Sequence, residues 1–177
     1  MLWNDYYNHA NEPVHFVPFL FNQLDVPWYT QKWTRYICKN AYANKVEGIV
    51  GNEDVGQMSA WYMFNCIGFY PVAPSSNMYN IGSPCVEAIT VRMSNGKVIE
   101  MVADNWSPKN VYVKELYVNG KKYDKSYLKY EDIRDGVKLR FVMSNKPNYK
   151  RAVSDEAVAP SLSLPGKTMK YQANLMK

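Results

Sequence analysis

The stretch GQMSAWYMFNCIGFYPVAPSSNMYNIG, residues 56–82, decides the fold class of this chain. In its first half Met58, Trp61, Tyr62 and Asn65 recur at the spacing of one helix face, which predicts a helix over residues 56–67. Gly68 ends that helix, because glycine tolerates the left-handed conformation that closes a helical C-terminus. Pro71 and Pro74 forbid its resumption. From about Met78 onward the apolar period changes from helical to two, the mark of strands with one buried face.

Upstream, the chain reads as helix. Residues 14–24 are apolar and broken by Pro18, which kinks a helix beyond its first turn. Trp33, Tyr36, Ile37 and Ala41 share a face of a helix expected over residues 30–43, with Thr30 as its N-cap after Pro27-Trp28-Tyr29. Downstream, residues 88–93 and 97–102 alternate around Asn95-Gly96, and Asn-Gly is a strong hairpin signal. Residues 111–118 lead to a second such turn, Asn119-Gly120, and residues 137–143 form another strand. Residues 126–135 look like a short helix or turn ending at Gly136, and Pro147, Pro160 and Pro165 mark extended coil after Asn145. Helices followed by strands predict an α+β fold with segregated layers. The expected division is residues 1–74 for the helices, 75–145 for an antiparallel β region and 146–177 for an extended tail. About three helices make a poor bundle alone, since each must bury an apolar face. They read as part of a larger helical assembly.

Composition narrows the function. The chain has 177 residues, 47% apolar and 21% charged, with a net charge of +5. These values fit a globular protein with a real core and exclude a disordered or fibrous chain. Lysines are spread along the C-terminal half with no run longer than Lys121-Lys122, unlike the clustered basic face that nucleic acid requires. No stretch approaches the ~20 apolar residues of a membrane helix. Cys38, Cys66 and Cys85 are odd in number and widely spaced, so neither a disulfide framework nor a zinc site is signalled.

The most informative polar segment is Gly51-Asn52-Glu53-Asp54-Val55-Gly56-Gln57, two adjacent carboxylates between glycines just before a helix. Two explanations compete. Asp54 caps the helix with Glu53 as a solvated neighbour. Alternatively, a carboxylate is held rigidly at a helix start, able to deprotonate water or bind a hard cation such as calcium or magnesium through oxygen. Gln57 stands one turn on, able to contact a sugar hydroxyl. A second polar cluster, Asn11-Glu12-Pro13 with His15, also begins an expected helix; Asn11 as a cap explains it equally well. His9 is nearby and ambiguous.

Three stretches together resemble glycoside hydrolase family 92, the calcium-dependent exo-acting α-mannosidases: Asn11-Glu12-Pro13-Val14-His15, Pro27-Trp28-Tyr29-Thr30-Gln31, and the run from Gly51 through Tyr62. The similarity continues through Gly68-Phe69-Tyr70-Pro71-Val72, Asn119-Gly120, Phe141-Val142-Met143 and Pro160-Ser161-Leu162, so it covers most of the chain. Two departures stand out: Phe16 where a second histidine is common, and Val55 where a cysteine is common.

The resemblance implies the C-terminal part of a much longer enzyme, comprising the final helices of an (α/α)₆ barrel followed by strands. It implies an inverting glycosidase acting on mannose-containing oligosaccharides. In such an enzyme one acid protonates the leaving oxygen and one carboxylate activates water on the opposite face. The general base then corresponds to Asp54, with Glu53 as a second acid, and Asn11, Glu12, His15, Asn52 and Gln57 surround the sugar or the calcium ion. The metal ligands themselves stay unassigned. The general acid would lie in a missing N-terminal part of the same enzyme, so this chain alone is expected to be inactive. An extracellular or periplasmic location is likewise implied only by the resemblance. Two other readings stand beside it: a non-catalytic carbohydrate-binding or structural module using strand aromatics such as Trp106, and a truncated inactive remnant.

Overall fold

The computed structural model describes residues 6–160. Two main helices precede two sheets. Helix α1 spans Pro27–Ala41 and α2 spans Gln57–Ile67. The strands are β1 (Phe69–Ala73), β2 (Met78–Ile81), β3 (Ala88–Arg92), β4 (Val98–Asp104), β5 (Tyr112–Val118), β6 (Lys121–Lys122), β7 (Tyr127–Lys129) and β8 (Val137–Ser144), with a one-turn helix α3 (Tyr130–Ile133) between β7 and β8. The architecture is mixed α and β, as the change of period predicts.

Local details differ where backbone chemistry competes with side-chain spacing. Residues 14–24 form 3₁₀ segments, Glu12–Val14 and Val17–Gln23, instead of an α-helix. Pro13 and Pro18 each sit at the start of one, where a missing N–H costs nothing. For the same reason α1 begins at Pro27, so Thr30 lies inside the helix instead of capping it. Helix α2 matches its expected span and closes on Gly68 at φ +101°. A Cβ there would also lie 2.9 Å from Cζ of Phe141, so the position demands glycine for both conformation and packing.

β1, β2 and β7 form a three-stranded sheet, and β3-β4-β8-β5-β6 a five-stranded one. Strand pairing starts at Phe69, ahead of the alternation legible from Met78. β1 carries Pro71, which an edge strand tolerates because its outer N–H has no partner to lose. Both Asn-Gly turns close hairpins, β3–β4 and β5–β6. The expectation of an antiparallel β region needs correction, because β4 and β8 pair in parallel from Ile99↔Val137 to Asp104↔Val142. The chain from β4 to β8 runs through β5, β6, β7 and α3, a connection long enough to return in the same direction.

One core lies around the sheets, with Leu116, Leu128 and Phe141 inaccessible to solvent. The other lies between α1, α2 and the 3₁₀ segments, built on Trp61, Phe19 and Ile37. Buried polar side chains join the two. Asn22 Nδ2 donates to the carbonyl of Ile81 at 2.9 Å, and the backbone N–H of Val113 donates to Gln31 Oε1 at 2.9 Å. Arg35 donates to the carbonyls of Pro84 and Ser107 at 2.5 and 2.9 Å. After β8 the chain runs back across the sheets, and the carbonyl of Ala157 accepts from both the N–H (2.7 Å) and the hydroxyl (3.0 Å) of Ser126. The part of the expected tail beyond residue 160 lies outside the described residues.

Candidate functional site

Two loops meet at the N-terminal end of α2. The first bears residues 8–15. The second is the acidic loop of residues 51–57. Their contact depends on Gly51, at φ +74°, where a Cβ would stand 2.6 Å from Cβ of Ala10. We expect Gly51→Ala to cost about 1–3 kcal/mol through the left-handed backbone and the collision. It should also separate the loops. A lowered urea midpoint together with a shifted Asp54 carboxyl resonance checks this.

Between Gly51 and α2 the backbone is strained. Asp54, Val55 and Gly56 all have positive φ, at 49°, 57° and 90°. A β-branched residue in that region is disfavoured by roughly 1–2 kcal/mol. Val55 receives nothing in return, since it is fully exposed. What the strained turn accomplishes is to carry the Asp54 carboxyl to Glu12 of the other loop. A hydrogen bond can join the two side chains once either carboxyl is protonated. Glu12 is held below the usual carboxylate range, first by its own backbone N–H and then by Asp54. Asp54 is pushed above it, chiefly by the hydrogen bond to Glu12. Asp54 thus takes the shared proton first. Glu12 Oε1 is sealed from solvent without a hydrogen-bond partner.

Glu53 does different work. Its Oε1 accepts from the backbone N–H of Ser59 at 3.0 Å and its carbonyl from that of Met58 at 3.2 Å. The capping expected of Asp54 therefore falls to its neighbour, one carboxylate holding the helix start while the other stays available. Asn11 and Asn52 are exposed, one on each loop.

Behind the carboxylates lies a buried aromatic and histidine layer. His15 is 2% exposed; its Nε2–H donates to the carbonyl of His9 at 3.0 Å, leaving Nδ1 to accept from Gln57 Nε2 at 3.1 Å. The same Gln57 nitrogen donates to the Tyr70 hydroxyl at 2.8 Å. Both amide hydrogens are thereby engaged, and Gln57 Oε1 remains as the oxygen this side chain offers a ligand. His9 is fully buried and stacks on His15 with ring centroids 4.5 Å apart. Tyr42 donates its hydroxyl hydrogen to the carbonyl of Met58 at 3.0 Å, so it accepts from His9 Nε2–H at 2.8 Å, and His9 Nδ1 accepts from the Tyr7 hydroxyl at 2.9 Å. Burial lowers both imidazoles, His9 to about 3. Both rings are neutral at physiological pH.

The structure thus brings Glu12 to Asp54 and His15 to Gln57. Tyr7, Tyr42 and Tyr70 escape sequence reasoning as site residues: Tyr7 stands two residues before His9 with nothing to mark its contact, and Tyr42 and Tyr70 reach the site from other elements. Trp106, the aromatic expected to mark a strand-borne sugar platform, has one face under the Arg35 guanidinium at 5.2 Å. Among the described residues no group of three or more His, Cys, Asp and Glu side chains is arranged to hold a metal. No helix among them is long and apolar enough to cross a membrane.

The chain is 75% identical to the family GH92 α-mannosidase BT3965 of Bacteroides thetaiotaomicron, with a TM-score of 0.87, over 94% of this chain and 22% of that one. The same enzyme is also known in complex with mannoimidazole. A second structure, the family GH92 inverting mannosidase BT2199 of Bacteroides thetaiotaomicron VPI-5482, is 32% identical with a TM-score of 0.82, over 89% of this chain and 21% of that one. An uncharacterized secreted glycosidase of Arthroderma benhamiae is 27% identical over 86% of this chain and 20% of its own length. The chain therefore spans about a fifth of the length of these relatives. The sequence profile of the glycosyl hydrolase family 92 catalytic domain matches residues 2–145. With that match extending over both loops, both helices and all eight strands, the chain belongs to glycosyl hydrolase family 92.

Proposed function

We propose that this chain is the C-terminal part of an inverting, calcium-dependent α-mannosidase acting on mannose-containing glycans, and that Asp54 is its general base. The observation that carries the proposal is the strained turn that delivers the Asp54 carboxyl to Glu12 at the junction of two loops. An inverting glycosidase needs one carboxylate to take a proton from water and a second carboxylic acid ~6.5–9.5 Å away across the sugar. Glu12 touches Asp54, so it is too close to be that acid, and Glu53 is committed to the helix cap. As the family resemblance implies, the acid is then supplied by a part of the enzyme N-terminal to these residues; this chain covers 22% of its relative BT3965. Residues 1–74 then supply the last helices of its (α/α)₆ barrel, with loop 51–57 facing the sugar. Residues 75–145 form the accompanying β region and 146–177 the tail. This chain by itself should not hydrolyse mannosides. We place the whole enzyme outside the cytoplasm, extracellular or periplasmic, where glycans are met.

The donor set suits calcium. Glu12 Oε1 is a buried acceptor without a partner, and Glu12, Gln57 and the exposed Asn11 and Asn52 all offer hard oxygen atoms. A calcium ion held there would supply positive charge to orient the sugar hydroxyls. His15 has no lone pair left for a metal, since its Nε2 donates and its Nδ1 accepts from Gln57. Its part is to hold the Gln57 amide in place.

Product stereochemistry tests the reading. The full-length protein should release β-mannose first from an α-mannoside, seen by proton NMR before mutarotation. Release of the α-anomer overturns the inverting assignment. A second expectation concerns this chain alone. In a carbon-13 titration Asp54 should ionise above the ordinary aspartate value and Glu12 below the ordinary glutamate value, and Glu12→Gln should return Asp54 to normal. Ordinary titration of Asp54 in the unsubstituted chain would mean that the two carboxyls do not interact.

A further inference from the structure

A polar cavity lies in the β region, between the β5–β6 hairpin and the turn of residues 148–151 that follows β8. It measures about 230 Å³, well beyond the ~10–15 Å³ that a single water needs. Its wall contains Arg151, which is 4% exposed. Arg151 donates from Nη2 to the carbonyl of Lys125 at 3.2 Å, while its Nε–H is buried without a partner. Three more cations, Lys114, Lys122 and Lys150, line the same space.

The two carboxylates present do not balance these four cations. Glu115 accepts from the Tyr117 hydroxyl at 2.8 Å and lies 3.9 Å from Lys122, a weak, half-exposed pair. Asp124 accepts from the backbone N–H of Ala152 at 3.2 Å. Asp124 does favour the charged guanidinium, but burial outweighs it and lowers Arg151 to about 10. A buried cation is costly unless enough negative charge meets it. The local backbone also holds Arg151 inward. Asn148 Nδ2 donates to the carbonyl of Lys114 at 2.9 Å, and Ala152, buried directly after Arg151, is locked at φ +57°.

We propose that this cavity binds a tetrahedral oxyanion, phosphate or sulfate, either free or as an ester on a sugar. The planar guanidinium suits such an anion because its N–H groups match two of the anion's oxygens. The lysines at the mouth supply the remaining charge.

The test is an amide NMR titration of the 177-residue chain with inorganic phosphate, inorganic sulfate and a hexose 6-phosphate, against sodium chloride at equal ionic strength. Saturable shifts should appear at Asp124 and residues 150–152, and Arg151→Gln should weaken association about tenfold or more. Should Arg151→Gln fail to fold, the double variant Lys122→Gln/Lys150→Gln, on exposed side chains, should still weaken it severalfold. Stronger binding of the sugar phosphate would identify an ester as ligand, and stronger binding of the inorganic ions a free anion. Shifts reproduced by chloride, no saturation, or binding unchanged in the folded variants would overturn the proposal.

Discussion

Asp54→Asn should lower mannosidase turnover of the full-length protein by about 10²–10⁴-fold, the usual contribution of a positioned general base. The substitution preserves shape and removes only the capacity to accept a proton from the attacking water. The fall should appear in kcat with little change in KM, because water activation is a transition-state demand and not a binding one. Folding should be nearly unaffected: Asp54 is exposed, and Glu53, not Asp54, caps α2. Glu53→Gln makes the informative comparison. It should cost roughly 1 kcal/mol of stability by weakening the cap while retaining far more activity than Asp54→Asn. Equal losses of activity in the two variants, or normal turnover in Asp54→Asn, would remove Asp54 from the mechanism. The pH profile follows from the same carboxyl. Asp54 works only when ionised, so kcat/KM should fall on the acidic side as its carboxylate takes up a proton.

The second large effect is on stability. Between pH 7 and pH 5 the chain should lose about 2 kcal/mol, before most carboxylates begin to titrate. The cause is His9. Its pKa in the folded chain is lowered to about 3 from an ordinary 6.5, so the unfolded chain binds a proton that the folded chain refuses. Its stabilising contribution is complete above pH 6.5 and shrinks as pH falls toward 3, at about 1.4 kcal/mol per unit. His15 is lowered in the same direction and adds to the loss. Geometry explains the refusal. A proton on His15 Nδ1 would face the Gln57 amide nitrogen, itself a donor at 3.1 Å, and two charged imidazoles would lie 4.5 Å apart. Asp54 acts in the opposite sense: its raised value favours the folded chain at low pH, and that contribution is lost as pH rises through it. Urea denaturation at the two pH values measures the balance, and His9→Gln should flatten the slope even though it lowers stability at pH 7. A stability equal at pH 7 and pH 5 would contradict the buried neutral pair.

Much of this molecule was legible without coordinates. The span of α2, its stop at Gly68 and both Asn-Gly hairpins rest on chemistry local to a few residues, where propensity and turn geometry decide. Resemblance brought Glu12 and Asp54 into one hypothesis, yet not into contact. The misread parts were those where a local signal competed with a stronger constraint. Proline overrode the helical spacing of residues 14–24, and the parallel pairing of β4 with β8 depends on a connection no strand pattern reveals.

By itself the sequence determined the α-to-β order and the acidic loop, because these depend on spacing and composition alone. Only the tertiary structure decided which carboxylate caps the helix and which meets Glu12. It alone showed that His9 and His15 are buried and neutral and that Arg151 is sealed into a basic cavity. The reason is physical: hydrogen-bond partners 33 to 46 residues apart, such as His9 with Tyr42 or Trp61 with His15, leave no trace in local spacing. Whether a proton sits on a side chain depends on what folding places against it.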